Sequence, residues 1–374
     1  MKNTENALAE ALSQTGFPFE HHIFQQAAKN GWTTIPNRLY VDAEEEKTRE
    51  MDLLCYRAEK GPEVTTYTAL LISCKARNDK PWVLMTRPWP KQRPAWYSYP
   101  PVPVWSNSKA LDHEIRQPNW GLEYFDKAAL AGLKDWATDS KEEVFALQEF
   151  ECIKQERFIA KGDSSLYSGV MSLLKALAYE VTALNERRSH DRERLVYQFN
   201  LIQMLDGELY EASFGSGKPT VRSIDRYRYF ARTMLNGKEL SARIDFCTKD
   251  ALDELLNDHL KVHKFNSSHF NEKRKLFFDG VLDQQSRLDA LLSIFEPRMT
   301  AAYMMFESHQ KKPEPNWISL QYREDEQQLV IYVDCDVFSD KLNANEAFMS
   351  YVTKAVNEIY RYDGPIKIDN DIPF

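Results

Sequence analysis

Residues 70–77 read LLISCKAR, and no other stretch constrains the chain as much. Three apolar positions run into Ser73, Cys74 and Lys75. A short apolar run of this kind reads as a strand buried within a sheet. Lys75 thus brings a charge to the place where the buried strand ends, and the question is what that lysine serves.

The surrounding periodicity fills in the elements. Residues 17–29, FPFEHHIFQQAAK, carry helical spacing, and REMDLLCYR and VTTYTALLISCK read as strands joined by the AEKGPE turn. A hairpin therefore follows a helix. From Lys80 to Trp105 proline and aromatic residues dominate, a composition poorly suited to a regular helix or central strand, and most of it is expected to be an insertion or long surface loop. SLYSGVMSLLKALAYEVTALNERR predicts a helix from about Ser165. RLVYQFNLIQML, the Asp206-Gly207 turn and ELYEASF give a second hairpin signal, LSARIDFCT reads as a strand, and KDALDELLNDHLKVHK as a helix. Beyond about Asn266 the pattern changes to a long helical region ending near His309, the strands WISLQYR and QLVIYVDCDVF, and a helix near NEAFMSYVTKAVNEIYRY.

Composition narrows the class. Of 374 residues, 43% are hydrophobic and 28% charged, the balance of an ordinary soluble globular protein. The first residues, MKNTENALAEALSQ, lack a secretory apolar core, and no later run approaches the about 20 residues of a membrane span, so a cytoplasmic protein is expected. Cys55, Cys74, Cys152, Cys247 and Cys335 form no CxxC pair, which argues against a zinc ribbon or a disulfide framework. The formal net charge of -8 argues against a basic nucleic-acid coat but leaves room for a locally positive cleft.

Candidate chemistry begins with Glu20. At 100° per residue it falls in the middle of the arc of Phe19, Ile23, Phe24, Ala27 and Ala28, where a carboxylate needs a partner. With Pro18 at the first helical position, Glu20 is equally a first-turn acid that favours the helix dipole. If the hairpin turn is centred between Gly61 and Pro62, Asp52 lies opposite Leu71, on the side of the strand carrying Ser73 and Lys75. A one-residue slip would reverse that parity.

An acid in a helix, a second acid in REMD at the start of a hairpin, and a lysine closing LLISCK together resemble the PD-(D/E)xK, or restriction-endonuclease-like, nuclease superfamily. The resemblance covers mainly residues 17–88. It departs at Ser73, where the family carries a metal-binding Asp or Glu, and at Met51, where the family has proline. It implies an α/β fold with a restriction-endonuclease-like core, a mixed sheet flanked by helices, over residues 1–265. A Pro/Trp-rich insertion at about 88–163 interrupts that core, and a C-terminal α+β region occupies 266–374.

Phosphodiester cleavage needs an activated water and a stabilised, increasingly negative phosphate, and carboxylate-bound Mg²⁺ or Mn²⁺ serves both needs. By the resemblance, Asp52 is the principal metal ligand, with Glu20 on the same or a second ion. The Cys74 backbone carbonyl and Ser73 supply further oxygens, and Lys75 orients the water or the phosphate. Glu20 is the best replacement for the missing acid, ahead of Glu50 and Asp79. The resemblance further implies DNA rather than RNA as substrate, a homodimer that cuts two strands, and roles such as phage defence. The alternative is a nuclease-fold module, weakened at Ser73, that binds nucleic acid or a protein.

Other motifs carry less. FGSGKPT, at 214–220, has Ala212 where a phosphate-binding loop needs glycine and Pro219 where it needs Ser or Thr, so it reads as a turn. His259 and His263 lie one helical turn apart without a further ligand and read as helix-surface residues. VRSIDRYRYFAR interleaves Arg222, Arg226, Arg228 and Arg232 with aromatic residues, a mixture suited to nucleic-acid contact if it forms a strand with all four on one face. Trp89, Arg93 and Trp96 are the alternatives.

Overall fold

The structure is a computed structural model that describes residues 2–76, 80–89, 102–138, 142–154, 157–215, 217–306 and 312–370. The chain divides into two compact units, one of Met1–Asn107 with Pro118–Phe270, the other of Ser108–Gln117 with Asn271–Phe374. No helix among the described residues is long and apolar enough to cross a membrane.

Helices α1 (Lys2–Ser13) and α2 (Phe17–Lys29) open the first unit, followed by strands β1 (Thr33–Asp42), β2 (Lys47–Lys60), β3 (Thr65–Ala76), β4 (Trp82–Pro88) and β5 (Val104–Ser106). Helix α3 (Lys109–Ile115) belongs to the second unit; α4 (Trp120–Ala128), α5 (Lys134–Ala137), β6 (Glu142–Lys154) and β7 (Arg157–Gly162) return to the first. Helix α6 (Ser164–Arg188) then leads to β8 (Leu195–Asp206), β9 (Leu209–Ser213), β10 (Thr220–Ser223), β11 (Arg226–Leu235) and β12 (Lys238–Thr248), and α7 (Leu252–Asp279) belongs to the first unit as far as Phe270 and to the second beyond it.

The main sheet runs β1-β2-β3-β8-β12-β11, with β5 added against β8. Strand β8 lies parallel to both β3 and β12, while the outer pairs are antiparallel, so the sheet is mixed. Both faces are covered. On one, Phe19, Ile23 and Ala27 of α2 and Leu252, Leu255 and Leu256 of α7 pack on Leu53, Leu70, Ile72 and Ile202. On the other, Leu166, Val170, Leu173 and Leu177 of α6 pack on Leu54, Leu71 and Leu201. The architecture is therefore α/β, a mixed sheet flanked by helices, and β3 is apolar on both parities because it lies between these layers.

Two local expectations are corrected. Trp82–Pro88 is a strand rather than part of a loop: Trp82, Leu84 and Thr86 are fully buried and alternate with half-exposed Val83 and Met85, and this alternation outweighs prolines that fall only at its ends. Residues 90–101 lie outside the described residues, and 104–163 is rich in regular elements. The second correction concerns β8 and β9, which form no hairpin. Both edges of β8 are taken, by β3 and β12, and the chain passes after Asp206 into a second sheet of order β10-β9-β4-β6-β7.

Helix α7 runs unbroken through Asn266, whose buried amide donates to Thr68 Oγ1 and Gln198 Oε1, each at 3.1 Å, while Tyr124 donates to Asn266 Oδ1 at 2.6 Å. A fully satisfied buried network of this kind fixes the register of a helix on its sheet. His259 and His263 are buried, not on the surface, because they lie on the side of α7 that faces the sheet. His263 shares a 3.0 Å hydrogen bond with Thr68, and burial lowers its pKa against the opposing pull of Glu59.

The second unit continues with α8 (Gln285–Phe306), β13 (Ile318–Arg323), β14 (Gln328–Val333), α9 (Ser339–Ala344), α10 (Glu346–Tyr360) and β15 (Ile366–Asn370). β14 pairs antiparallel with β13 and parallel with β15. Its separate core contains Phe277, Phe295, Trp317, Ile331, Phe348 and Tyr360, and Ala110 and Leu111 of α3 are buried. The long helical region expected here is two helices, parted at Gly280.

Candidate active site

The site is built where α2 meets the β1-β2-β3 meander. In α2 the buried stripe is Phe19, Ile23 and Ala27, at four-residue spacing, and Glu20 stands beside it at the rim, half-buried, instead of in its middle. It is a first-turn acid, so the helix-dipole reading of Glu20 is the one that applies.

The hairpin register differs from the expected one by two residues. Leu53 pairs with Ile72 and Cys55 with Leu70, so continuing the ladder would set Asp52 opposite Ser73 instead of Leu71. The ladder stops before that pair. On the other edge of β2, Pro36 pairs with Leu53 and Arg38 with Met51, while Asn37, opposite Asp52, is unpaired and left-handed at φ 54°. Both ladders thus open at Asp52. Met51 packs into the core under α6 and Leu53 into the core under α2, although strict alternation would put them on one face.

Asp52 occupies this opening, and its Oδ2 accepts the Cys74 N–H at 2.5 Å. The N–H and C=O of a strand residue point to the same neighbour, so the Cys74 carbonyl shares that edge. The Ser73 hydroxyl also hydrogen-bonds Asp52, and the Ser73 carbonyl accepts 3.1 Å from the buried Gln203 amide. Asp52 and Glu20 line one cleft of about 350 Å³ with Asn37, Phe17, His21 and Phe24.

The electrostatics are those of two carboxyl groups that repel. Burial raises the Glu20 pKa, the Asp52 and Glu50 charges raise it further, and Lys75 opposes them. Burial raises that of Asp52 against the Cys74 N–H, Lys75 and Ser73. The Cys74 thiol is pushed well above its ordinary value by burial, which leaves it inert as a nucleophile. Glu20 and Asp52 thus share the cleft, Ser73 and Cys74 meet Asp52, and Lys75 acts on both acids electrostatically without lining the cleft. Among the described residues no group of three or more His, Cys, Asp or Glu side chains is arranged to hold a metal. The available donors are two carboxylates, a hydroxyl and a backbone carbonyl. This is an all-oxygen set of the type that Mg²⁺ and Mn²⁺ take, with water completing the shell.

Asn37 and Gln203 escaped sequence reading. Asparagine tolerates left-handed backbone, so its place in TTIPNRLYVD was a usable signal; for Gln203, an amide in an apolar run, partner and burial come only from the fold. Glu50 accepts from the Asn37 side chain, and Asp79 lies outside the described residues.

The four arginines do not form one stripe. Arg222 is on β10 in the second sheet and pairs with Glu211 at 2.5 Å. Arg226, Arg228 and Arg232 are on β11, and each meets a carboxylate: Asp258 at 2.8 Å, Asp245 at 3.0 Å, and Glu239. Burial opposes ionisation of Asp245, but Arg228, then His259 and Arg243, overcome it and hold its pKa far below the ordinary carboxyl range. FGSGKPT lies between β9 and the start of β10, and its Ser216 lies outside the described residues, as do Arg93 and Trp96. No known family, curated protein or solved structure matches the chain.

Proposed function

We propose that this chain is a divalent-metal-dependent nuclease of the PD-(D/E)xK kind, acting on DNA in preference to RNA. One observation carries the reading: Glu20 and Asp52, from different elements, line one cleft within electrostatic reach of Lys75, at a place where the sheet opens around Asp52. Repelling carboxyl groups beside a lysine serve no evident packing need, and clustered perturbed acids in a cleft mark functional sites.

Asp52 and Glu20 would hold the metal, with the Cys74 carbonyl and Ser73 as neutral donors. When bound, Mg²⁺ supplies charge to the phosphate oxygens and lowers the pKa of a bound water. Lys75 balances negative charge developing on the phosphate. The Cys74 N–H fixes the Asp52 carboxylate, and Gln203 fixes the Ser73 carbonyl, so the strand bearing Lys75 is held in place.

The test is incubation with linear, circular and single-stranded DNA and with RNA, in Mg²⁺ or Mn²⁺, alongside Asp52→Asn. The neutral amide keeps the shape and loses the charge, so cleavage should fall by at least about a hundredfold, on the scale of removing one electrostatic stabiliser, while the fold survives. Asp52→Asn with normal cleavage and normal calorimetric Mg²⁺ affinity refutes the assignment. Nucleic-acid binding without cleavage by the wild type favours the weakened nuclease-fold module instead.

A further inference from the structure

The cleft wall that carries Glu20 is also aromatic. Phe17, His21 and Phe24 sit at helical spacing on α2 and share the cleft with Glu20 and Asp52. The His21 and Phe24 rings stack at 6.0 Å between centroids, 15° from parallel, and Phe17 is 66% exposed. Pro36 adds a further apolar surface. The residues lining the cleft include no arginine or lysine. Cations on the phosphates serve duplexes and single strands alike, but only a single strand exposes base faces that can stack on aromatic side chains.

We infer that this cleft receives an unpaired nucleobase beside the scissile phosphate, so that the substrate is a single strand or a frayed end rather than an intact duplex. The inference rests on the nuclease reading and sharpens it. A base in a duplex has both faces stacked on its neighbours and cannot lie against Phe17; a base in a single strand can, and this sets the adjacent phosphate toward Asp52 and Lys75. One backbone then needs one site, and a second copy of the chain is not required for cutting.

The experiment compares wild type, Phe17→Ala, Phe17→Trp and Asp52→Asn on a homothymidine oligonucleotide, its blunt duplex with homoadenosine, and the same duplex with a frayed end. Cleavage is followed in Mg²⁺ and binding by fluorescence anisotropy without it. Because Phe17 is largely exposed, the variants should fold. Wild type should favour the single strand and the frayed end. Phe17→Ala should weaken single-strand binding and cleavage by about 5- to 150-fold, the range spanned by loss of one stacking ring, and Phe17→Trp should restore them.

Equal cutting of the blunt duplex and the single strand, with Phe17→Ala unchanged and Asp52→Asn inactive, overturns the inference and leaves the nuclease reading standing. Phe17-dependent binding of the single strand without cleavage supports the base site and removes the nuclease reading. Absence of Phe17-dependent binding overturns the base site whatever the cleavage result.

Discussion

Gly169 of α6 is a stringent probe of how the candidate site is held. A Cβ added there would lie 2.2 Å from Gln203 Oε1 and 3.1 Å from its Cδ. Ordinary contact is about 3.5 Å or more, so the Gln203 amide would have to move by more than about 1 Å. It has little room, because Gln203 is fully buried and its Nε2 donates to the Ser73 carbonyl at 3.1 Å. Breaking that bond inside the core costs about 1–3 kcal/mol, and crowding a further ~1–3 kcal/mol. Against this, alanine favours a helix over glycine by about 0.8–1.0 kcal/mol. Gly169→Ala should therefore be destabilising by about 1–5 kcal/mol, equivalent to roughly 2–20 °C in melting temperature for a unit of this size. Thermal and urea unfolding would measure it. Adding Gln203→Ala should recover part of the loss, since the two changes share one clash. A Gly169→Ala protein as stable as the wild type, or more so, would refute the claim that Gln203 is clamped between α6 and the strand carrying Ser73 and Lys75.

Two further predictions follow from charge. Ser73→Asp puts a third carboxylate against Asp52 in a buried position, so without divalent cations the melting temperature should fall at neutral pH, and Mg²⁺ should raise it more than in the wild type; identical Mg²⁺ responses would argue against a cation site. Glu20 and Asp52 both have folded-state pKa values above their unfolded ones, so their contribution to stability is full below the ordinary carboxyl range and is lost as pH rises through the raised values. In metal-free buffer, Glu20→Gln should therefore be the more stable protein at neutral pH and lose its advantage in acid. Parallel melting curves against pH for the two proteins would contradict the assigned repulsion.

Elements whose burial follows one simple period were legible in the sequence. Helix α2, the β2-β3 hairpin and α6 follow from spacing and turn residues, and the order of Glu20, Asp52 and Lys75 along them suggested the cleft. Pairings between distant strands were not legible: the Asp206-Gly207 turn looks like a hairpin, and only the occupation of both edges of β8 sends β9 elsewhere. The arginines of β10 and β11 read as free cations because Glu211, Asp245 and Asp258 reach them only through tertiary structure. The opening around Asp52 was hidden for a similar reason. It depends on Asn37, a residue in another strand whose left-handed backbone interrupts a ladder that sequence parity would continue.

The interleaving of the two units has a consequence for synthesis. Ser108–Gln117 leaves the ribosome long before the rest of its unit, which is complete only with β15, the strand that pairs with β14. At about 5–20 residues per second the wait is roughly 10–50 s. Throughout it, Ala110 waits for the core to which it belongs. The nascent chain is thus most exposed to misassociation in its middle third, and slowing elongation after residue 117 should lower the soluble yield more than slowing it before residue 107.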